Sequence, residues 1–321
     1  MKLGVLTVVL YSMDFPAAVK YLHSLGVQTI EVGCGGSPGK THMDPDKLLG
    51  NPEAIAEVKK LLADNEMDIC ALSCHGNAVH PNPEIAAADE ADFEKTVLLA
   101  EQLGVDTIVT FSGCPGDCPT SEYPNWVTCS WPPDYLKILD YQWNDVLIPY
   151  WKKAAAFAES HGIKKIALEL HPGFCCYNTE TILKLRAAVG PIIGANLDPS
   201  HLFWQGMDIP HVIRKLGPAI HHFHAKDTKI DPINTATNGV LDVRHYGDEI
   251  DRSWVFRTVG YGHDAQVWKD IISNLRMVGY DGAISIEHED SLMSAGEGLR
   301  KAVEFLKDVL IFEDKTAMWW A

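Results

Sequence analysis

The chain has 321 residues, 46% hydrophobic and 22% charged, a balance typical of folded globular proteins and unlike that of disordered ones. A formal charge of −16 opposes a phosphate backbone and argues against a nucleic-acid partner, so a small uncharged ligand suits the chain better. No stretch reaches the roughly 20 apolar residues of a membrane span, and MKLGVLTVVLYSMDF lacks a small-residue cleavage site, so the expected location is the cytoplasm.

Taken in chain order, short β-branched runs alternate with amphipathic ones. Strands are predicted at 2–9 (KLGVLTVV), 29–33 (TIEVG), 68–74 (DICALSC) and 107–111 (TIVTF). Four more follow at 165–170 (KIALEL), 192–198 (IIGANLD), 220–227 (IHHFHAKD) and 282–288 (GAISIEH). Between them lie helical patterns such as PAAVKYLHSLG, EAIAEVKKLLADN and DFEKTVLLAEQLG, most of which stop at a glycine, as helix C-termini do.

Repeated β/α units without a glycine-rich dinucleotide fingerprint after the first strand predict a closed (β/α)8 TIM barrel, and 1–321 is expected to form one domain. The connections at 112–137 and 227–265, after strands four and seven, are too long for simple turns. Both follow strands, so both are expected at the catalytic end, walling a pocket. Eight scattered cysteines read as reduced thiols. Cys114 and Cys118 in GCPGDC have neither C-x-x-C spacing nor a second pair, which is a weak match to a zinc site.

A barrel carries its reactive side chains where strands end. Glu169 ends the fifth run, Asp198 the sixth and Glu287 the eighth, and His224 lies in the seventh. Singly, each has an ordinary reading as strand-end acid, helix cap or satisfied core histidine. Together they put three carboxylates and an imidazole on four adjacent strands, and such crowding demands a compensating cation or proton uptake. One divalent ion is therefore expected on Glu169, Asp198, His224 and Glu287. Three oxygens and one nitrogen favour Mn²⁺, with Mg²⁺, Co²⁺ or Zn²⁺ as alternatives.

The motifs ALELHP, NLDPSH, HFHAKD and SIEHED resemble those of the sugar phosphate isomerase/epimerase group of xylose isomerase-like TIM barrels, which includes ketose 3-epimerases, inosose dehydratase and hydroxypyruvate isomerase. The resemblance spans roughly residues 2 to 310. It implies that the same four residues bind the metal, that His201 faces the substrate, and that Glu169 and Glu287 act as the acid–base pair. Two positions depart from the ketose 3-epimerase pattern. Ile230 stands where those enzymes carry an arginine, and Cys175 where they carry a glutamate.

Such a site abstracts a proton next to a carbonyl while the metal stabilises the enediolate. The expected function is thus a metal-dependent isomerase or epimerase of a free or keto sugar, or a cyclitol. The alternative is a lyase or hydratase cleaving 3-keto-glycosides by elimination, in the manner of O- or C-glycoside deglycosidase catalytic subunits, which work with a small partner protein. An abasic-site endonuclease is disfavoured by the acidic balance.

Around the rim, His75 with Asn77, His171, Lys226, Asp227 and His263 are candidate substrate contacts. Their plainer readings are a turn (His75, His171), a rim ion pair (Lys226 and Asp227) and a solvated loop histidine (His263). Tyr123, Trp126 and Trp131 either stack on a sugar or pack their loop. Two tryptophans in the terminal AMWWA point to docking, and hence to a homo-oligomer.

Overall fold

The structure is a computed structural model and describes residues 1–320. Its strands are β1 (Lys2–Leu6), β2 (Thr29–Gly33), β3 (Asp68–Ser73), β4 (Thr107–Phe111), β5 (Lys165–Glu169), β6 (Ile193–Leu197), β7 (Ile220–Ala225), β8 (Asp227–Ile230), β9 (Trp254–Arg257) and β10 (Ala283–Ile286). Eight of them close a parallel barrel in the order β1-β10-β7-β6-β5-β4-β3-β2, the predicted TIM barrel. Closure is sealed by the β1–β10 register, which sets Val5 opposite Ile286.

Strands buried on both faces explain the nearly unbroken apolar runs. The main core lies between the sheet and its ring of helices, where Val5, Ile30, Leu72, Ile108, Ile166 and Leu197 are fully buried. Inside the barrel a small apolar layer of Ala71, Val109 and Ala167 stands apart. Toward the C-terminal end the interior turns polar: Glu31, Ser73, Asn196, His222, His224 and Ser285 are all fully or almost fully buried. Many helices begin on a side-chain cap, and some stop on glycine. Asn82 caps the helix Pro83–Leu103, and Gly104 ends it in the left-handed conformation.

Two of the predicted strands differ in an informative way: 2–9 stops at Leu6, where a 3-10 turn over Thr7–Leu10 takes up the rest of the apolar run, and 220–227 is broken in two. The run 220–227 is one strand in the sequence pattern, but β7 ends at Ala225, and from Asp227 the chain leaves the barrel. There β8 pairs antiparallel with β9, Asp227 opposite Arg257 and Ile230 opposite Trp254, so the second long connection holds a small sheet. Alternation continues through the break, so pattern alone does not reveal it. At the ends of β6 and β10, Asp198 and Glu287 lie one residue past the regular strand, free of the ladder. The first long connection ends in the helix Asp134–Asp140. Among the described residues no helix is long and apolar enough to cross a membrane.

The turn after β2 lies at the barrel mouth, where Ser37 and Pro38 line the cavity beside His75. Gly36 has φ +59°, a conformation that L residues adopt at a cost. A Cβ there would lie 2.1 Å from the carbonyl oxygen of His75, and Ser37 N–H donates to that same oxygen at 2.8 Å. Gly36→Ala should therefore cost about 1–3 kcal/mol, read as a fall of a few degrees in melting temperature. An unchanged melting temperature would show that the turn has room for a side chain.

Candidate metal centre at the barrel mouth

Glu169, Asp198, His224 and Glu287 come from the ends of β5, β6, β7 and β10. Each offers a donor atom such that all four atoms lie within 4.8 Å of one another. Asp198 and His224 are fully buried and Glu169 almost so, while Glu287 is partly exposed at the mouth. The four residues singled out in the sequence are thus brought together in space.

Each carboxylate is held by donors. Glu169 receives His75 Nε2 at 2.8 Å and His201 Nε2 at 2.9 Å. Burial would raise its pKa, yet the hydrogen bonds from His201 and His75 hold it well below the usual carboxylate range. Asp198 accepts Ser200 N–H on Oδ1 at 2.8 Å. Its Oδ2 is buried without a hydrogen bond, although Lys226 Nζ lies 3.0 Å away and His201 Nε2 3.2 Å away. Burial opposes ionisation there too, but the Lys226 and His201 charges prevail and lower the Asp198 pKa. For His201, burial and Lys226 act downward, yet Asp198 and Glu169 win and raise it to about 9.

Lys226 is the cation already present. Almost completely buried, its ammonium lies 3.0 Å from Asp198, 2.8 Å from Glu287 and 2.9 Å from Glu289. Burial penalises the charge, but these carboxylates raise its pKa well above the ordinary lysine value. The donor set fits a divalent ion: three oxygens and one imidazole nitrogen converge, one oxygen lacks a hydrogen bond, and a monovalent ammonium bridges two of the same carboxylates. A divalent ion on this donor set would compete with Lys226.

The profile described as "Xylose isomerase-like TIM barrel" matches residues 19–309. The chain belongs to that family. A relative in Bacillus subtilis (strain 168), "Uncharacterized protein YfiH", is 42% identical over 312 residues, covering 97% of this chain and 99% of that protein. Among solved structures, the IOLI protein with a binding zinc atom superposes with TM-score 0.65 at 19% identity, over 97% of this chain and 98% of that one. A D-psicose 3-epimerase in the presence of D-fructose superposes with TM-score 0.62 at 18% identity, over 97% and 99%. Likeness at that identity is likeness of fold, and the resemblance of the four strand-end motifs had pointed to the same family.

Within this xylose isomerase-like barrel, the rim candidates separate. His171 lines the cavity over the donors together with His75, Glu169, Lys226, Glu287 and Glu289. Its ring centroid lies 4.0 Å from that of His201, and burial followed by the His201 charge lowers its pKa to about 3, so it is neutral.

Asp227 has a different job from the expected substrate contact. Fully buried, it accepts the backbone N–H groups of Gly260, Gly262 and His263, the ring of His263 at 2.8 Å and the Trp268 indole at 3.2 Å. Its oxygens are occupied with anchoring the loop before the helix Ala265–Met277. His263 belongs to that clamp and stacks on Phe203 with centroids 3.8 Å apart, outside the cavity walls beside the donors. Asn77 is likewise structural, exchanging two hydrogen bonds with the backbone of Cys114.

The expected thiol state holds, since all eight cysteines are free. Cys114 is buried and Cys118 exposed in a turn fastened by Ser121, and no cysteine joins a donor cluster among the described residues. Of the first-loop aromatics, Trp126 lines cavities, whereas Tyr123 and Trp131 are about three-quarters exposed. Trp319 and Trp320 are also exposed. Ile230 packs on Trp204, Trp254 and Phe256.

Sequence reasoning missed the layer beneath the donors. Glu31, on β2, is fully buried and accepts from His222 Nε2 at 2.9 Å, His224 Nε2 at 2.9 Å, Ser285 Oγ at 2.8 Å and Ser73 Oγ. Burial would raise its pKa, but His224 and His222 keep it ionised. Because Nε2–H of His224 is committed to Glu31, the ring is oriented with Nδ1 toward Glu287, 3.0 Å away. The only signal in the sequence was an acid in the middle of the apolar run TIEVG.

Two variants test this centre in opposite directions. Glu31→Gln should weaken Mn²⁺ binding by about 10- to 100-fold while the far-ultraviolet circular dichroism stays unchanged. Lys226→Met should lower the melting temperature in chelator and enlarge the upward shift given by Mn²⁺, because a competing positive charge is gone. Equal Mn²⁺ shifts in Lys226→Met and the parent protein would mean the ammonium and the ion do not share oxygens.

Proposed function

We propose that this chain is a divalent-metal-dependent isomerase or epimerase of a free or keto sugar, or of a cyclitol. One observation carries the reading: donors from Glu169, Asp198, His224 and Glu287 lie within 4.8 Å of one another at the mouth of a closed barrel. Support also comes from family membership, and from two proteins of similar fold, one with a bound zinc atom and one a D-psicose 3-epimerase. Mn²⁺ suits the oxygen-rich donor set best, with Mg²⁺, Co²⁺ and Zn²⁺ as the other choices.

When bound, such an ion polarises a substrate carbonyl and stabilises the charge that develops on its oxygen. The remaining work falls to this chain's own side chains. Glu169 is ionised and braced by His75 and His201, so its orientation is set before substrate arrives. In this reading it takes a proton from the carbon beside the carbonyl. Glu287, lining the same cavity, enters protonated and gives its own solvent-derived proton to the opposite face of that carbon, and the two carboxyls reset by exchange with water. His171, neutral and in the wall, donates to or accepts from a hydroxyl without adding charge. Lys226, tied also to Glu289 on the rim, supplies a donor toward a substrate oxygen. Elimination from a keto sugar begins with the same proton abstraction, so the fate of the carbanion depends on the substrate's leaving group.

Incubation with Mn²⁺ and a panel of ketohexoses in D₂O should place solvent deuterium at the carbon whose configuration changes. Glu169→Gln and Glu287→Gln should each slow that exchange by about 10²- to 10⁴-fold. Exchange at parent rates in both variants would rule out the two-carboxylate assignment.

A further inference from the structure

Beside the donor cluster lies a second, larger space that the reaction just described does not use. The cavity over the donors holds about 160 Å³. That is below the roughly 300–1,000 Å³ of pockets that enclose drug-sized ligands, and it suits a monosaccharide. It shares His171 and Glu289 with a neighbouring cavity of about 410 Å³ that includes Tyr246 and Phe256. Sharing His171 and Tyr246 in turn, a further cavity of about 410 Å³ is walled by Trp126, Trp204 and Trp254. The cleft thus adjoins the proposed reaction site, with His171 and Glu289 as the shared wall.

Its walls are flat and stiff. Trp204 and Trp254 stack with centroids 4.8 Å apart and rings 4° from parallel, and Tyr246 and Phe256 stack at 5.6 Å and 18°. Arg252, almost completely buried, braces the back of this wall, 4.3 Å from the Tyr246 ring and 4.6 Å from Trp254. Trp204, only 5% exposed, carries a buried indole N–H that donates to no protein acceptor, and so does Trp126. Buried indole donors ordinarily find a partner. By contrast Trp254 donates to the Val240 carbonyl oxygen at 2.9 Å. Neither lysine nor arginine lines the two cavities, whereas Asp242 and Glu289 do, so an anionic group is unwelcome there.

We propose that this cleft binds a planar, uncharged aromatic group bearing a hydrogen-bond acceptor, carried by the same molecule whose sugar ring occupies the donor cavity. The substrate class is then an aryl-substituted sugar. This rests on the proposed sugar-processing role for the placement of the ring, while the aromatic preference rests on the cleft alone. Trp204 and Trp254 cover one another and Arg252 lies over the Trp254 ring, so the aromatic surface left to a ligand is that of Trp126 and Tyr246. This surface supplies most of the affinity, and the unpartnered indole donors of Trp126 and Trp204 suit oxygen substituents on the ring. A second copy of this chain covering the cleft is the competing occupant.

The test uses the full chain with Mn²⁺ and matched pairs of probes, phenyl and methyl β-D-glucopyranoside and phenyl and methyl β-D-galactopyranoside, titrated by calorimetry. Within a pair the phenyl member should bind at least about 10-fold tighter. Trp126→Ala and Tyr246→Ala, both at partly exposed positions, should reduce that ratio to near one with Mn²⁺ affinity retained. Glu169→Gln should keep the ratio while slowing deuterium exchange into the ketohexoses by about 10²- to 10⁴-fold, so loss of the aryl preference and loss of the enolising chemistry are read separately. A ratio near one in the parent protein, including no binding of either member at millimolar concentration, overturns the proposal. So does a preserved ratio in both cleft variants, or a dimer in sedimentation that both variants convert to monomer without any aryl preference in the parent.

Discussion

The structure turns on one electrostatic constraint, a crowd of carboxylates gathered where water is scarce. Glu31, Glu169 and Asp198 are buried, and Glu287 and Glu289 lie just above them. Two unit charges about 4 Å apart interact by roughly 4 kcal/mol even at an effective dielectric of 20. Several such repulsions would rival the 5–15 kcal/mol that holds a domain folded. Positive charge must therefore be built in beside them. It comes from His224, whose pKa is raised against burial chiefly by Glu31 and Glu287, from His201 and from Lys226.

That compensation also explains the division of labour among polar residues near the mouth. Glu31 is saturated by two imidazoles and two hydroxyls, so it orients and does not react. Asp227 is equally saturated, by backbone N–H groups and two side chains, and it fixes the loop before the last-but-one helix. Glu169 and Glu287 differ, because both border the open cavity. A saturated acid and a poised one have the same letter in the sequence, and only their donors tell them apart.

The loops after β4 and β7 extend the same logic outward. Their length marked them as more than turns, and what they contribute is apolar: Trp126 from the first, and Tyr246, Trp254 and Phe256 from the second. The small β8–β9 sheet is what makes this wall rigid, since it pairs Ile230 with Trp254 and Thr228 with Phe256. A charged interior beside an aromatic annex gives the mouth two chemically distinct halves meeting at His171.

Periodicity and spacing in the sequence determined the barrel, its eight strands and the four residues at their ends, because a buried parallel strand demands an apolar run and a strand end tolerates charge. Runs such as TIEVG and TIVTF coincide with β2 and β4 residue for residue. What only the tertiary structure decided was partnership. Glu31 looked like an interruption in an apolar strand, and its role appears once His222 and His224, some 190 positions later, fold onto it. Lys226 and Asp227 are neighbours in sequence, yet the chain turns outward between them. The lysine faces the carboxylates and the aspartate faces the glycine loop. Local pattern records which way a side chain points along its own strand, whereas hydrogen bonding and charge balance depend on groups that only closure of the barrel brings within reach.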